Sequence, residues 1–238
     1  LNNLEPASIE ATWSLGEPSL VLEIPEDFSM DPATSETVHY FVLNGERQAE
    51  RWVTAVDVRP GNASIVRSVQ VYVDTTDRSR RLDAQDEVPG FMMAEFEPGF
   101  RIEQIIGIWV AGQSSIQTDP GLAYYLPPGS DLVARIHYKK TWLDEGLSVE
   151  DRTAVGVYFS EASDLTPIKS LAVGGSEVTD GTSGMFVTYE QTIDESVELL
   201  SLIPEIDGSP LFVQLEAILP TGERTPIVRL AQPRPAWR

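Results

Sequence analysis

Apolar and polar residues alternate over short runs along most of this chain, and they rarely recur at the three-and-four spacing of a helix face. A period of two marks a strand with one buried side. The runs predict strands over 20–24, 39–43, 52–59, 65–73, 132–139 and 154–159, followed by 185–190, 197–203, 211–219 and 225–230. Between them lie Pro60-Gly61-Asn62, Pro98-Gly99, Pro127-Pro128-Gly129 and Thr221-Gly222, which supply the fixed or positive φ that a reversing chain needs. The last of these closes a predicted hairpin whose first strand aims Leu211, Val213, Leu215, Ala217 and Leu219 at a core. The fold class predicted is all-β.

The stretch 74–91 breaks the alternation with Arg78-Ser79-Arg80-Arg81 and reads as a long exposed loop suited to partner contact. The pattern lapses again over 161–176, where Gly174-Gly175 appears. A boundary in 160–170 follows, giving an N-terminal β domain over 1–163 and a shorter C-terminal one over 164–238.

At 238 residues, 42% hydrophobic and 23% charged, the chain can bury a core in each of two β domains. Its 37 acidic and 17 basic residues give a net charge of -20, with the acids scattered rather than gathered in a tail. Such a surface repels phosphate backbones and anionic headgroups, so nucleic acid and direct membrane binding are not expected, whereas a basic protein surface is attracted. The chain has no cysteine, which excludes disulfides, thiolate nucleophiles and zinc-thiolate sites. No apolar run approaches the roughly 20 residues of a membrane-spanning helix. Leu1-Asn2-Asn3-Leu4 has no basic n-region or h-region, so membrane association is expected only through partners or an anchor outside this numbering.

Several segments, in order, resemble the bacterial relatives of peptidylglycine-hydroxylating and dopamine β-monooxygenases, the type II copper, ascorbate-dependent family. They are Tyr40-Phe41-Val42-Leu43, Ala55-Val56-Asp57-Val58-Arg59-Pro60-Gly61-Asn62, Val69-Gln70-Val71-Tyr72-Val73-Asp74, Gly107-Ile108-Trp109-Val110-Ala111-Gly112, Leu126-Pro127-Pro128-Gly129, Ile136-His137-Tyr138 and Asp151-Arg152. Leu199-Leu200-Ser201-Leu202-Ile203-Pro204 and Ala217-Ile218-Leu219-Pro220-Thr221-Gly222 continue the series. The resemblance implies two jelly-roll-like β-sandwich domains, the second shortened here, and an exported location, periplasmic or extracellular.

It also implies two copper centres, and the ligand positions have changed at both. The first would be held by an adjacent histidine pair, which falls on Val66-Arg67-Ser68-Val69, and by His137. Arg67 and Ser68 stand where imidazoles are needed. The second would use a His-X-His after the Leu-Leu-Ser-Leu segment, where this chain has Glu205 and Asp207, and a later methionine that it lacks. The chain has only one further histidine, His39. The expectation is no copper, no other cofactor and no monooxygenase activity.

Other chemistries find less support. Glu205 and Asp207 are too few to hold Ca²⁺ or Mg²⁺. There is no G-X-S-X-G elbow, no Walker A loop and no dinucleotide glycine loop, and nothing singles out a glycosidase-like pair among so many carboxylates. The five tryptophans are expected in cores or interfaces. The function expected is therefore that of a non-catalytic structural or accessory subunit holding protein partners in a hetero-oligomer, on the outer face of a respiratory or photosynthetic membrane complex. The extended ends, 1–18 and 233–238, would serve as straps. The alternative is a small-molecule or glycan binding module that uses an interdomain cleft.

Overall fold

A computed structural model describes residues 13–43, 49–86, 90–93, 99, 102–173, 188–203 and 212–233. The chain divides into two compact units, Leu1–Ala172 and Val173–Arg238. In the first lie β1 (Leu20–Glu23), β2 (Phe28–Met30), β3 (Glu36–Val42), β4 (Arg51–Arg59), β5 (Val66–Asp74), helix α1 (Arg78–Asp83), β6 (Gln104–Val110), β7 (Leu122–Leu126), β8 (Asp131–Lys139), β9 (Val149–Asp151), β10 (Ala154–Ser160) and β11 (Thr166–Ile168). The second contains β12 (Phe212–Ile218) and β13 (Arg224–Ala231). The chain is all-β as the alternation predicts, and no described helix is long and apolar enough to cross a membrane.

Two sheets of the first unit pack face to face. One runs β1-β10-β4-β7-β11 and the other β3-β8-β5-β6, with β2 and β9 paired beside them. Alternation decides what enters the core between the sheets. Val69, Val71 and Val73 of β5 and Ala134, Ile136 and Tyr138 of β8 meet Val53, Val56 and Val58 of β4 and Val155 and Val157 of β10, all of them buried. Each such valine contributes about 1.5–3 kcal/mol of burial. The two sheets approach closely at Gly107 of β6, where an added Cβ would lie 2.5 Å from Cβ of Val56. The residues alternate with these on β5, β8 and β3 face the other side of the four-stranded sheet, where Tyr40, Val42, Tyr72, Val133 and Phe91 form a smaller buried cluster.

That outer cluster corrects part of the reading of 74–91 as an exposed loop: Asp74, Ser79, Gly90 and Phe91 are buried and Arg78–Asp83 is a helix, while Thr75, Thr76, Arg78, Arg80, Arg81, Ala84, Gln85 and Asp86 are exposed as expected. Asp74 is fully buried, and its carboxylate accepts the backbone N–H and hydroxyl of both Thr76 and Ser79. The Ser79 N–H belongs to the first turn of α1, so Asp74 caps a helix whose own N-cap residue, Asp77, makes no side-chain cap. Burial raises the Asp74 carboxyl pKa, but the Ser79 and Thr76 bonds outweigh it and hold the group below its ordinary value. Arg80 then reaches across to Asp131 at 2.6 Å, and Leu82 packs on the outer cluster. Phe91 exchanges two 2.9 Å backbone bonds with Tyr40. Part of the polar composition thus serves capping and pairing as well as solvent exposure. Residues 87–89 of this stretch lie outside the described ones.

The second unit departs further from expectation. Residues 197–203 are described and form no strand, and neither do 188–190 of the neighbouring predicted strand, whose residues 185–187 lie outside the described ones. The hairpin forms, with Gly222 at φ +83° in its turn. Its register shifts opposite Pro226, whose missing N–H cannot continue the ladder, so the expected alternation toward a core is interrupted, and no residue of either strand is fully buried. Trp142, in the first unit, is 79% exposed and so lies outside the core.

A buried carboxylate also joins the turns at one end of the sandwich. Asp151 accepts the Tyr138 hydroxyl at 2.9 Å, the Thr153 hydroxyl at 2.7 Å, the Thr153 N–H at 3.2 Å and, on its other oxygen, the Asn62 N–H at 2.8 Å. Gly61 is required beside it, since an added Cβ would fall 2.4 Å from the Arg152 backbone nitrogen. Replacing Asp151 by Ala orphans these donors and is expected to cost about 3 kcal/mol. Replacing Asp27, which only pairs with Arg152 in solvent, should cost less than about 0.5 kcal/mol. Urea unfolding of both variants checks the contrast, and equal midpoints would contradict it.

Candidate functional site

The three first-centre positions come together because β5 lies antiparallel to β8. Ser68 stands directly opposite His137, and the ladder shifts between Val66 and Ser68 so that Arg67 is the residue left over. Ser68 and His137 share the outer face with Gln70 and Tyr72, since the intervening Val69 and Ile136 point into the core. Arg67 donates to the Lys139 carbonyl oxygen at 2.8 Å. His137 Nε2 shares a 2.7 Å hydrogen bond with Glu36 Oε1, and Lys139 Nζ donates to the other oxygen of the same carboxylate at 2.7 Å. The register that sets Glu36 opposite Lys139 and Val38 opposite His137 builds the Glu36–His137–Lys139 network from two strands, β3 and β8, and the Arg67 bond adds β5. Burial raises the Glu36 pKa, and the bonds and charges of Lys139 and His137 more than reverse that, leaving the group below its ordinary value and ionised.

His39 cannot join His137. On β3 it pairs with Ile136, one residue from the His137 position, and a shift of one places a side chain on the opposite face. Its ring sits with Phe28 at 4.5 Å and Phe41 at 6.0 Å between centroids. Burial lowers its pKa from 6.5 to about 4, although Asp86 pulls the other way. It is a neutral imidazole among aromatic rings.

Glu205 and Asp207 lie outside the described residues, as do the end segments 1–12 and 234–238. Among the described residues, no three His, Asp or Glu side chains gather where they could hold a metal ion.

Sequence reasoning did not find a shallow cavity of about 190 Å³ in the first unit, bordered by Trp13, Asp57, Arg59, Trp109 and Gln113. The Arg59 guanidinium stacks 4.7 Å above the Trp13 ring. Asp57 is committed to holding the walls: one oxygen accepts the Ser14 N–H and hydroxyl, and the other accepts the Val58 N–H and Ser115 hydroxyl. For two of the buried aspartates a signal was present, because Asp74-Thr75-Thr76 and Asp151-Arg152-Thr153 both place a threonine two residues on, where Asp side chains bond local backbone. Compared with known proteins, the chain matches no family model and no curated protein.

The His39 environment gives a signed pH dependence. The unfolded chain takes up this proton below about pH 6.5 and the folded chain only near 4, so stability is lost as pH falls across that window. His39→Phe should flatten this component of the fall in urea midpoint between pH 7 and 4.5. An unchanged slope in the variant would show that His39 is not held neutral.

Proposed function

We propose that the chain is a non-catalytic scaffold, a degenerate relative of the copper, ascorbate-dependent monooxygenases whose surfaces hold protein partners in an exported hetero-oligomer. The observation that carries this reading is how the three positions are engaged: His137 is bonded to Glu36, Arg67 to the Lys139 carbonyl, and Ser68 faces His137 across the ladder. Cu(I) and Cu(II) sites draw on imidazole nitrogen and thioether sulfur. Here one imidazole is bonded to Glu36, a hydroxyl faces it across the ladder, and the adjacent cation is bonded to a carbonyl of the same strand end. That donor set does not fit copper, and a guanidinium beside it opposes any second positive charge. Folds outlast the sites grafted on them, and ion pairs among neighbouring side chains are what a vacated site can become at little cost to the sheet. The periplasmic or extracellular location follows the family resembled, and the role on a membrane complex is part of the same proposal.

The second reading, binding of a small molecule or glycan, draws on the cavity beside Trp13 and Trp109, since indole faces suit sugar rings and planar ligands. Its capacity is small, and its one buried carboxylate is already saturated by four donors.

Two measurements separate these readings. After copper loading and desalting, the chain should retain well under about 0.1 copper per molecule; about one tightly held copper would contradict the loss of the site. Native mass spectrometry of material from the source organism should show stoichiometric protein partners. A retained small molecule with no protein partner would favour the second reading.

A further inference from the structure

Between β8 and β9 the chain makes a short excursion, Thr141-Trp142-Leu143-Asp144-Glu145-Gly146-Leu147, that puts three large apolar side chains into water. Trp142 is 79%, Leu143 64% and Leu147 54% exposed. Single exposed apolar residues are ordinary, but three within six positions, one of them tryptophan, form a cluster that solvation alone does not favour.

The loop is held in this outward shape. The buried Lys140 donates its ammonium to the carbonyl oxygens of Asp31 and Leu147, and its N–H to the Ser35 oxygen at 2.9 Å. Thr141 donates its hydroxyl to Asp144 at 2.6 Å. The Asp144 N–H returns to the Thr141 oxygen at 3.0 Å, and the Leu147 N–H donates to the Asp144 oxygen at 3.1 Å. Gly146, at φ +74°, makes the final reversal. A loop fixed before docking loses little conformational entropy on docking, and tryptophan is among the residues that most often dominate an interface.

Charge selects the occupant. Asp144 and Glu145 lie between Trp142-Leu143 and Leu147 in the loop, so immersing this tip in a bilayer would drag two carboxylates toward the hydrocarbon and, in an anionic leaflet, against like charge. Lys139 is bonded to Glu36. The Thr141 bond, with the charge of Arg67 added to it, holds the Asp144 pKa down, and Arg67 offsets at most one of the two carboxylates. A second copy is disfavoured for the same reason, since a two-fold contact would set the acidic tip against itself in a chain of net charge -20.

Building on the scaffold reading above, we propose that Trp142, Leu143 and Leu147 form a preformed docking knob for a partner protein that offers an apolar pocket rimmed by lysine or arginine. The test uses the full chain in its source organism, with the photocrosslinking residue benzoylphenylalanine at position 142 or, as a control, at the exposed turn residue Thr221. Irradiation should give one discrete protein adduct from position 142 and none of the same species from 221, mapped to a partner peptide with apolar residues beside Lys or Arg. In parallel, Trp142→Ser with Leu143→Ser should weaken binding of that partner by about 100-fold, with an unchanged urea midpoint. Adducts only to lipid, an adduct to a second copy, no adduct, or a partner bound equally by the double variant would each overturn the knob. If the unmodified chain carries no stoichiometric protein at all, the scaffold reading itself fails; if it carries one that the double variant also retains, the knob alone fails.

Discussion

A carboxylate taken out of water must find several donors or lose its charge, and the first unit of this chain is fastened by three that have found them. Asp151 accepts four hydrogen bonds and ties the β4–β5 turn, β8 and the β9–β10 turn to one point. Asp74 does the same for the start of α1, and Asp57 for the segments at Ser14 and Ser115. In each case most donors are backbone N–H and hydroxyl groups, not cations. Without cysteines the chain has no covalent fasteners, and with 37 acidic residues it has carboxylates in excess. The strands supply the hydrophobic core; the aspartates fix how the connections leave it.

The legible part of the fold was the part that repeats. β4, β5, β8 and β10 alternate long enough for period two to show, and their cores follow from it. β2, β9 and β11 have three residues each, too few for a period, and exist because neighbouring strands offer them a ladder. β6 was not among the predicted strands, and its Gly107 lies where Val56 leaves no room for a Cβ. The error over 197–203 is the converse, an apolar run that pairs with no strand among the described residues. At the site, Ser68 pairs with His137 and Arg67 lies beside them, while Glu36 has no signal in the local sequence. Its place opposite Lys139 is a matter of cross-strand register between positions 103 residues apart.

The geometry of the four-stranded sheet also organises what the surface can do. One face is sealed in the sandwich, where His39 stays neutral among aromatic rings. The other passes from the buried Tyr40 and Phe91 cluster to the open network at Glu36, His137 and Lys139. Just past the same end of β8, Lys140 turns inward and anchors the loop that carries Trp142 outward. The Glu36–His137–Lys139 network and an apolar loop tip held by hydrogen bonds thus lie at one end of the same strand.

The central claim, that buried aspartates fasten the sandwich, is tested most directly by amide hydrogen exchange at neutral pH. The N–H groups of Asn62, Thr76 and Thr153 lie outside every strand and helix, yet each is bonded to Asp151 or Asp74. They should exchange as slowly as the ladder amides of β5 and β8, opening only with the whole unit. Exchange at the rate of ordinary turn amides, while β5 and β8 remain protected, would contradict the account.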